Sequence, residues 1–99
     1  LTNHSILFTG ETSSPSHVAI QDMNNDNLMD VIVTNKDRHT IGIFLGKQDH
    51  IFSDQLSFTV GFNSFPFVVL VDDFNQDNLF DLAVANKGTD SVSILLQNP

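Results

Sequence analysis

The chain repeats itself. Asp22-Met23-Asn24-Asn25-Asp26-Asn27-Leu28-Met29-Asp30 returns 51 residues later as Asp73-Phe74-Asn75-Gln76-Asp77-Asn78-Leu79-Phe80-Asp81. The same offset carries Gly10 onto Gly61, Pro15 onto Pro66, Asn35 onto Asn86, Lys36 onto Lys87 and Leu45 onto Leu96. Between residues 10–46 and 61–97, 15 of 37 positions are identical without a gap, more than chance produces. Self-similarity at such a period is the signature of a repeat architecture.

Inside each repeat the periodicity is that of strands. Val18-Ala19-Ile20 and Val68-Val69-Leu70-Val71 are short β-rich runs, and each leads into an Asp loop. Val31–Thr34 and Leu82–Ala85 follow the loops; Thr40–Leu45 and Ser91–Leu96 follow a polar turn. These runs are four to six residues long and bounded by Asn, Asp or Gly, as strands are. A fourth strand fits Leu56–Val60, and Ser5–Thr9 holds the equivalent place before the first repeat. No helical spacing persists anywhere. The reading is an all-β chain of two four-stranded antiparallel propeller-type blades, residues 10–60 and 61–99, within one segment spanning 1–99. The second blade lacks its outer strand, and residues 1–9 supply a strand of that type to a preceding or partner blade. Propellers close with about four to eight blades. Two blades therefore make a partial propeller or one completed by oligomerisation, most simply a trimer of six blades. The opening residue, Leu1 rather than Met, fits an excerpt or a processed product.

Eleven of the twelve acidic residues are Asp, and the net charge is −8. Asp-rich acidity suits turns and hard-cation sites. Four Lys and Arg cannot neutralise a phosphate track, so nucleic acid is excluded as a partner. The absence of Cys excludes disulfides, thiolate zinc sites and a Cys nucleophile. No apolar run reaches membrane-spanning length, so no membrane insertion is expected, and no signal peptide is visible.

The loops read Asp-x-Asn-x-Asp-x-x-x-Asp. Calcium takes six to eight oxygens at about 2.3–2.6 Å, many of them carboxylate. Side chains at alternate loop positions can converge on one point. Asp22, Asn24, Asp26 and Asp30 then form one ligand set, and Asp73, Asn75, Asp77 and Asp81 the other. Backbone carbonyls of Leu28 and Leu79 complete them, giving about two Ca2+ per chain. Three carboxylates per site leave a bound calcium near −1. The competing reading is two Asx-rich turns without a metal; clustered carboxylates without a cation repel one another, which weighs against it. An EF-hand opens similarly, but needs a bidentate Glu at position twelve between helices. Val33 and Val84 stand there instead, inside expected strands.

With these residues in place, the chain resembles the FG-GAP/VCBS-type repeat of integrin α-subunit propellers and many secreted or surface proteins. Phe74, Asn75, Leu82, Ala85, Asn86, Ser91 and Val92 fit that pattern closely. One departure occurs in both loops: Asn27 and Asn78 replace the family's loop glycine. Asn is the next best residue at positive φ, so the turn survives. The resemblance implies a calcium-binding module for adhesion or for protein or carbohydrate ligands, extracellular or at the cell surface, and not an enzyme. The rival readings are a fragment of a propeller enzyme, lyase or oxidoreductase, or a lectin-like propeller. Missing Trp and Tyr weaken the lectin, whose sugar-stacking sites usually use them. No nucleophile–base–orienter set and no Gly-rich phosphate loop can be assembled.

Lesser signals remain. Asn3-His4-Ser5 is an N-glycosylation sequon. His4, His17, His39 and His50 share no spacing, and His17 meets Val68 in the other repeat, which argues for incidental filler over a zinc ligand. Lys36 and Lys87 read as turn residues. Phe62, Phe65 and Phe67 cluster before the second repeat and are expected in blade-to-blade packing, with an exposed recognition patch as the alternative.

Overall fold

A computed structural model describes residues 5–97. Nine strands form antiparallel sheets with no α-helix among the described residues. The first repeat gives a four-stranded sheet ordered β1 (Pro15–Gln21), β2 (Asp30–Asn35), β3 (Thr40–Phe44) and β6 (Leu56–Thr59). Between β3 and β6 a short hairpin of β4 (Gly46–Lys47) and β5 (Ile51–Phe52) interrupts the chain. No alternation marks this hairpin in the sequence, because each of its strands has two residues. The second repeat gives a three-stranded sheet, β7 (Pro66–Asp72), β8 (Asp81–Asn86) and β9 (Ser91–Leu95).

The offset of the sequence is also the offset of the register. Val18 pairs with Val33 in the first sheet, and Val69 with Val84 in the second. Both sheets carry a bulge at their first strand, between Pro15 and His17 and between Pro66 and Val68. Proline has no N–H to give a ladder, so it fits where the pairing breaks. Ahead of each bulge, Gly10 and Gly61 adopt φ of 118° and 117°, a conformation that favours glycine. Their carbonyls accept the buried hydroxyls of Ser13 and Ser64. Lys36 and Lys87 each open a single 3₁₀ turn and lie in turns, as expected.

The core lies between the two sheets. One face of β1–β2–β3 presents Ala19, Ile32, Ile41 and Ile43; the second sheet answers with Val69, Val84 and Leu82. Ile32, Ile41 and Val84 are fully buried. The far faces are open in part: Val18 and Ile20 are exposed on the first, where Val33 and Phe44 are nevertheless buried, and Leu70, Val92 and Ile94 are exposed on the second.

Polar cross-links sit beside this core. His17 Nδ1 accepts the Val69 N–H at 3.3 Å, and Ser16 Oγ donates to the carbonyls of Pro66 and Phe67. His39 Nδ1 accepts the Phe65 N–H at 3.2 Å while its ring meets Phe65 edge-on at 4.5 Å. These histidines are joints between the blades, not filler. Of the three clustered phenylalanines, Phe65 takes part in this packing. Phe62 is exposed, and Phe67 is half exposed with the Lys87 ammonium 5.7 Å from its ring.

Residues 5–9, expected as a strand of a preceding or partner blade, pair with no strand among the described residues. Their link to the fold is through Thr9, whose carbonyl accepts Gln55 Nε2 at 2.9 Å. The sheet orders leave β1, β6, β7 and β9 as edges, and residues 5–9 ladder with none of them. Asn3 and His4 of the sequon lie outside the described residues.

Ile41→Ala removes a fully buried side chain between the sheets. It is expected to cost about 2–5 kcal/mol, read as a lower urea midpoint in equilibrium unfolding.

Candidate metal centre

Each Asp loop joins the first two strands of its sheet and is built by its own carboxylates. In the first, Asp22 Oδ2 accepts the Asn27 N–H at 2.8 Å and Oδ1 the Asp26 N–H at 3.2 Å. Asp26 Oδ1 accepts the Leu28 N–H at 3.0 Å. In the second, Asp73 accepts from Asn78 at 2.8 Å and Asp77 at 3.1 Å, and Asp77 accepts from Leu79 at 3.0 Å. These bonds wrap the loop around its acidic positions, as Asx turns do. Asn27 and Asn78 stand at φ of 65° and 68°, the positions where the resemblance anticipated a glycine. Asn25 and Gln76 are left-handed too, both at 59°.

The last Asp of each loop is different. Asp30 and Asp81 are buried, at the first residues of β2 and β8. Asp30 Oδ2 accepts the Met23 N–H and Oδ1 the Gly46 N–H, both at 2.8 Å. Asp81 accepts the N–H of Phe74 at 3.1 Å and of Gln97 at 2.9 Å. A buried carboxylate needs such partners. Each oxygen keeps a second lone pair for another ligand. The motif named Asp30 and Asp81 but not these donors. The signal available was Gly46 and Gln97, one offset apart although the residues differ. A Cβ on Gly46 would come within 2.3 Å of the Met29 carbonyl oxygen, so glycine suits the first loop's approach.

The acidic side chains converge most closely in the second loop. Oxygens of Asp73, Asp77 and Asp81 lie within 4.8 Å of one another, and this cluster could hold a metal ion. Two ligands on opposite sides of a calcium are at most about 5 Å apart, twice its bond length. Asp72 adds a fourth carboxylate next door, where it accepts the Asp73 N–H. Asn75 is exposed in this loop, and Leu79, at its end, is half-buried.

In the first loop Asp22, Asp26 and Asp30 do not form so tight a cluster. Asn24 fills the space between two of them. The inner end of its amide lies 2.9 and 3.2 Å from the oxygens of Asp26 and 3.1 Å from Asp22 Oδ1. With nitrogen at that end, the amide donates to both carboxylates and holds together charges that would otherwise repel. Partial desolvation pushes the Asp22 carboxyl up. Hydrogen bonds from the Asn27 and Asp26 N–H groups outweigh it, and the group settles below the usual aspartate value.

A family profile described as an FG-GAP-like repeat matches residues 22–84, more than half of the chain. Comparison with curated proteins and with solved structures gives no match.

Two outcomes follow from this geometry. In calcium-free buffer Asp30→Ala strands two buried N–H groups, at about 1–3 kcal/mol each, whereas Asp26→Ala, at an exposed position, costs less than about 1 kcal/mol. Chemical denaturation of the two variants separates the structural carboxylate from the exposed one. Because Asp22 has a lowered pKa when folded, its contribution to stability is present above the unfolded aspartate value. It is lost as pH falls through the lowered folded value, so acid titration of Asp22→Asn shows a shallower loss of stability than the parent in that window.

Proposed function

The chain belongs to the FG-GAP-like repeat family, and on that premise we propose that it is a calcium-stabilised β-propeller module that binds a protein or carbohydrate ligand outside the cell. Both loops hold calcium. Asp22, Asn24, Asp26, Asp30 and the Leu28 carbonyl bind one ion; Asp73, Asn75, Asp77, Asp81 and the Leu79 carbonyl bind the other. The observation that carries this reading is the approach of three carboxylates, Asp73, Asp77 and Asp81, within the diameter of a calcium shell. In the first loop, half a turn of the Asn24 amide puts its oxygen where its nitrogen sits, beside Asp22 and Asp26. A metal-free clasp then becomes a ligand set without moving the backbone.

The ion's role is structural. Asp30 and Asp81 fix their loops to the sheet through backbone N–H groups, and calcium would tie the remaining acidic positions to that anchor. FG-GAP-like repeats are in general binding modules, and on that ground we read this one as binding a ligand and not catalysing a reaction. Among the described residues no helix is long and apolar enough to cross a membrane.

Calorimetry on EDTA-stripped protein is expected to show about two sites with dissociation constants of about 10⁻⁴–10⁻³ M, as in extracellular modules, or somewhat tighter. The second loop fills first, because its carboxylates already converge. Asp77→Ala removes the stronger site, and Asp26→Ala with Asp77→Ala removes both. At 100 times the dissociation constant each ion adds about 2.7 kcal/mol, so the melting temperature rises with calcium. Magnesium substitutes poorly, since it holds its waters and wants a smaller octahedral shell. Equal heats for the double variant and the parent would falsify the assignment.

A further inference from the structure

An unbroken path of hydrogen bonds runs from one Asp loop to the other. Asp81 Oδ1 accepts the Gln97 N–H at 2.9 Å, Gln97 Nε2 donates to the Met23 carbonyl at 2.7 Å, and the Met23 N–H donates to Asp30 Oδ2 at 2.8 Å. The path begins and ends on the buried carboxylates that anchor the two loops. Asp81 is also a member of the cluster that converges in the second loop. Asp30, Asp81 and Met23 are all buried, a setting in which a hydrogen bond is electrostatically stronger than in water.

The bridge is made once, from the second repeat to the first. Gly46, the counterpart of Gln97, donates its own N–H to Asp30 but has no side chain to reach further. A Cβ there would meet the Met29 carbonyl oxygen at 2.3 Å. The point at which the Gln97 amide arrives is also telling. The Met23 carbonyl belongs to the planar peptide unit that carries Asn24, so a donor on its oxygen fixes the base from which Asn24 extends. Asn24 is the part of the first loop with two roles. As a donor its amide clasps Asp22 and Asp26, and turned over it offers its oxygen to an ion. Asn24 and Gln97 line one groove between the blades.

We propose that Gln97 is a positioning residue that couples the two calcium loops, so that an ion in the second raises the affinity of the first. The inference rests on the calcium reading above. An ion on Asp73, Asp77 and Asp81 holds the Asp81 carboxylate still, and with it the Gln97 backbone. The Gln97 amide is then already placed on Met23, and Met23 on Asp30. The first loop takes its ion without ordering these groups again. Ordering that one ion provides and the next one uses is positive coupling, and it requires no change of average structure. By linkage the effect is reciprocal. Charge acts in the opposite direction, because a filled loop lowers the negative potential at the other. Salt screens that term, with a Debye length of about 8 Å at physiological ionic strength and about 3 Å at about 1 M, and leaves the buried path in place.

A calcium titration followed by two-dimensional NMR reads the loops separately. The Asn27 and Asn78 N–H groups report them, since each is bonded to the first Asp of its own loop. Gln97→Met keeps the length of the side chain and the backbone N–H and removes the amide donor. In the parent the Asn78 signal is expected to move first and Asn27 second. Gln97→Met is expected to weaken the first loop about five-fold or more, the low end of coupling between sites, and to leave the second loop unchanged. Asp77→Ala, which empties the second loop with Gln97 intact, is expected to weaken the first loop by the same factor. Added to Asp77→Ala, Gln97→Met is expected to change nothing further, whereas a merely structural glutamine would weaken the first loop there too. The Gln97→Met effect is expected to persist at about 1 M salt, where charge coupling is screened. In Asp26→Ala, where only the second loop fills, calcium is expected to slow hydrogen exchange of the Met23 N–H, and Gln97→Met to abolish that slowing. One first-loop constant shared by the parent, Gln97→Met and Asp77→Ala overturns the coupling and leaves both calcium sites standing. An effect of Gln97→Met that survives in Asp77→Ala, or that vanishes in salt, overturns it as well. If neither signal moves at millimolar calcium, the calcium reading fails and the coupling falls with it.

Discussion

The buried carboxylate at the ninth loop position holds each repeat together. Asp30 takes one N–H from its own loop, at Met23, and one from beyond β3, at Gly46. It therefore fixes where the loop leaves β1 and where the third strand ends. Asp81 does the same between Phe74 and Gln97. An amide could not replace it fully, because one oxygen would become a donor facing another donor. The hairpin of β1 and β2 with its nine-residue loop would otherwise be a flexible connection. Anchored at this point, the loop presents its remaining acidic side chains from a fixed base.

The anchor also links the loops to the core. Met23 is at once the donor to Asp30, a buried core side chain and a wall of the groove between the blades. Its carbonyl accepts Gln97 Nε2 at 2.7 Å, and the backbone N–H of that same Gln97 donates to Asp81. One residue of the second repeat thus ties the first loop to the second. The two loops are joined through Gln97, by its side-chain amide on the Met23 carbonyl and its N–H on the buried Asp81 carboxylate, while Asp26 and Asp77 stay exposed.

Much of this was legible in the sequence because it is local. A loop whose carboxylates bond N–H groups two to five residues away needs nothing but its own residues, so the motif Asp-x-Asn-x-Asp with a distant Asp predicts the turn, its positive-φ Asn27 and Asn78, and the strands on either side. Asn35 and Asn86, which close β2 and β8, follow the same logic: each is buried and donates to hydroxyls on the next strand, Thr40 or Ser91. The hairpin at 46–52 was not legible, since two-residue strands leave no alternation to detect. The roles of His17 and His39 were not legible either. Each accepts a backbone N–H from the other blade, and no spacing within one repeat encodes an acceptor needed by a different one.

That last point explains which positions differ between the repeats. Positions identical across the offset lie mainly in loops, turns and bulges, where the constraint is internal to each unit. Those that diverge cluster on the sheet faces. Ser16, His17 and Thr34 make the polar joint to the second blade; their counterparts Phe67, Val68 and Ala85 are apolar. Ile41, fully buried, corresponds to Val92, largely exposed. If each blade met identical neighbours, selection on packing would hold both faces to one pattern. The divergence instead records that the first blade's face is matched to a particular partner, the second blade, whose carbonyls and N–H groups it engages. The second blade's open face carries no hydroxyl or imidazole at the same three places. What it offers is an apolar sheet, Phe67, Leu70, Val92 and Ile94, whose burial would depend on shape and area alone.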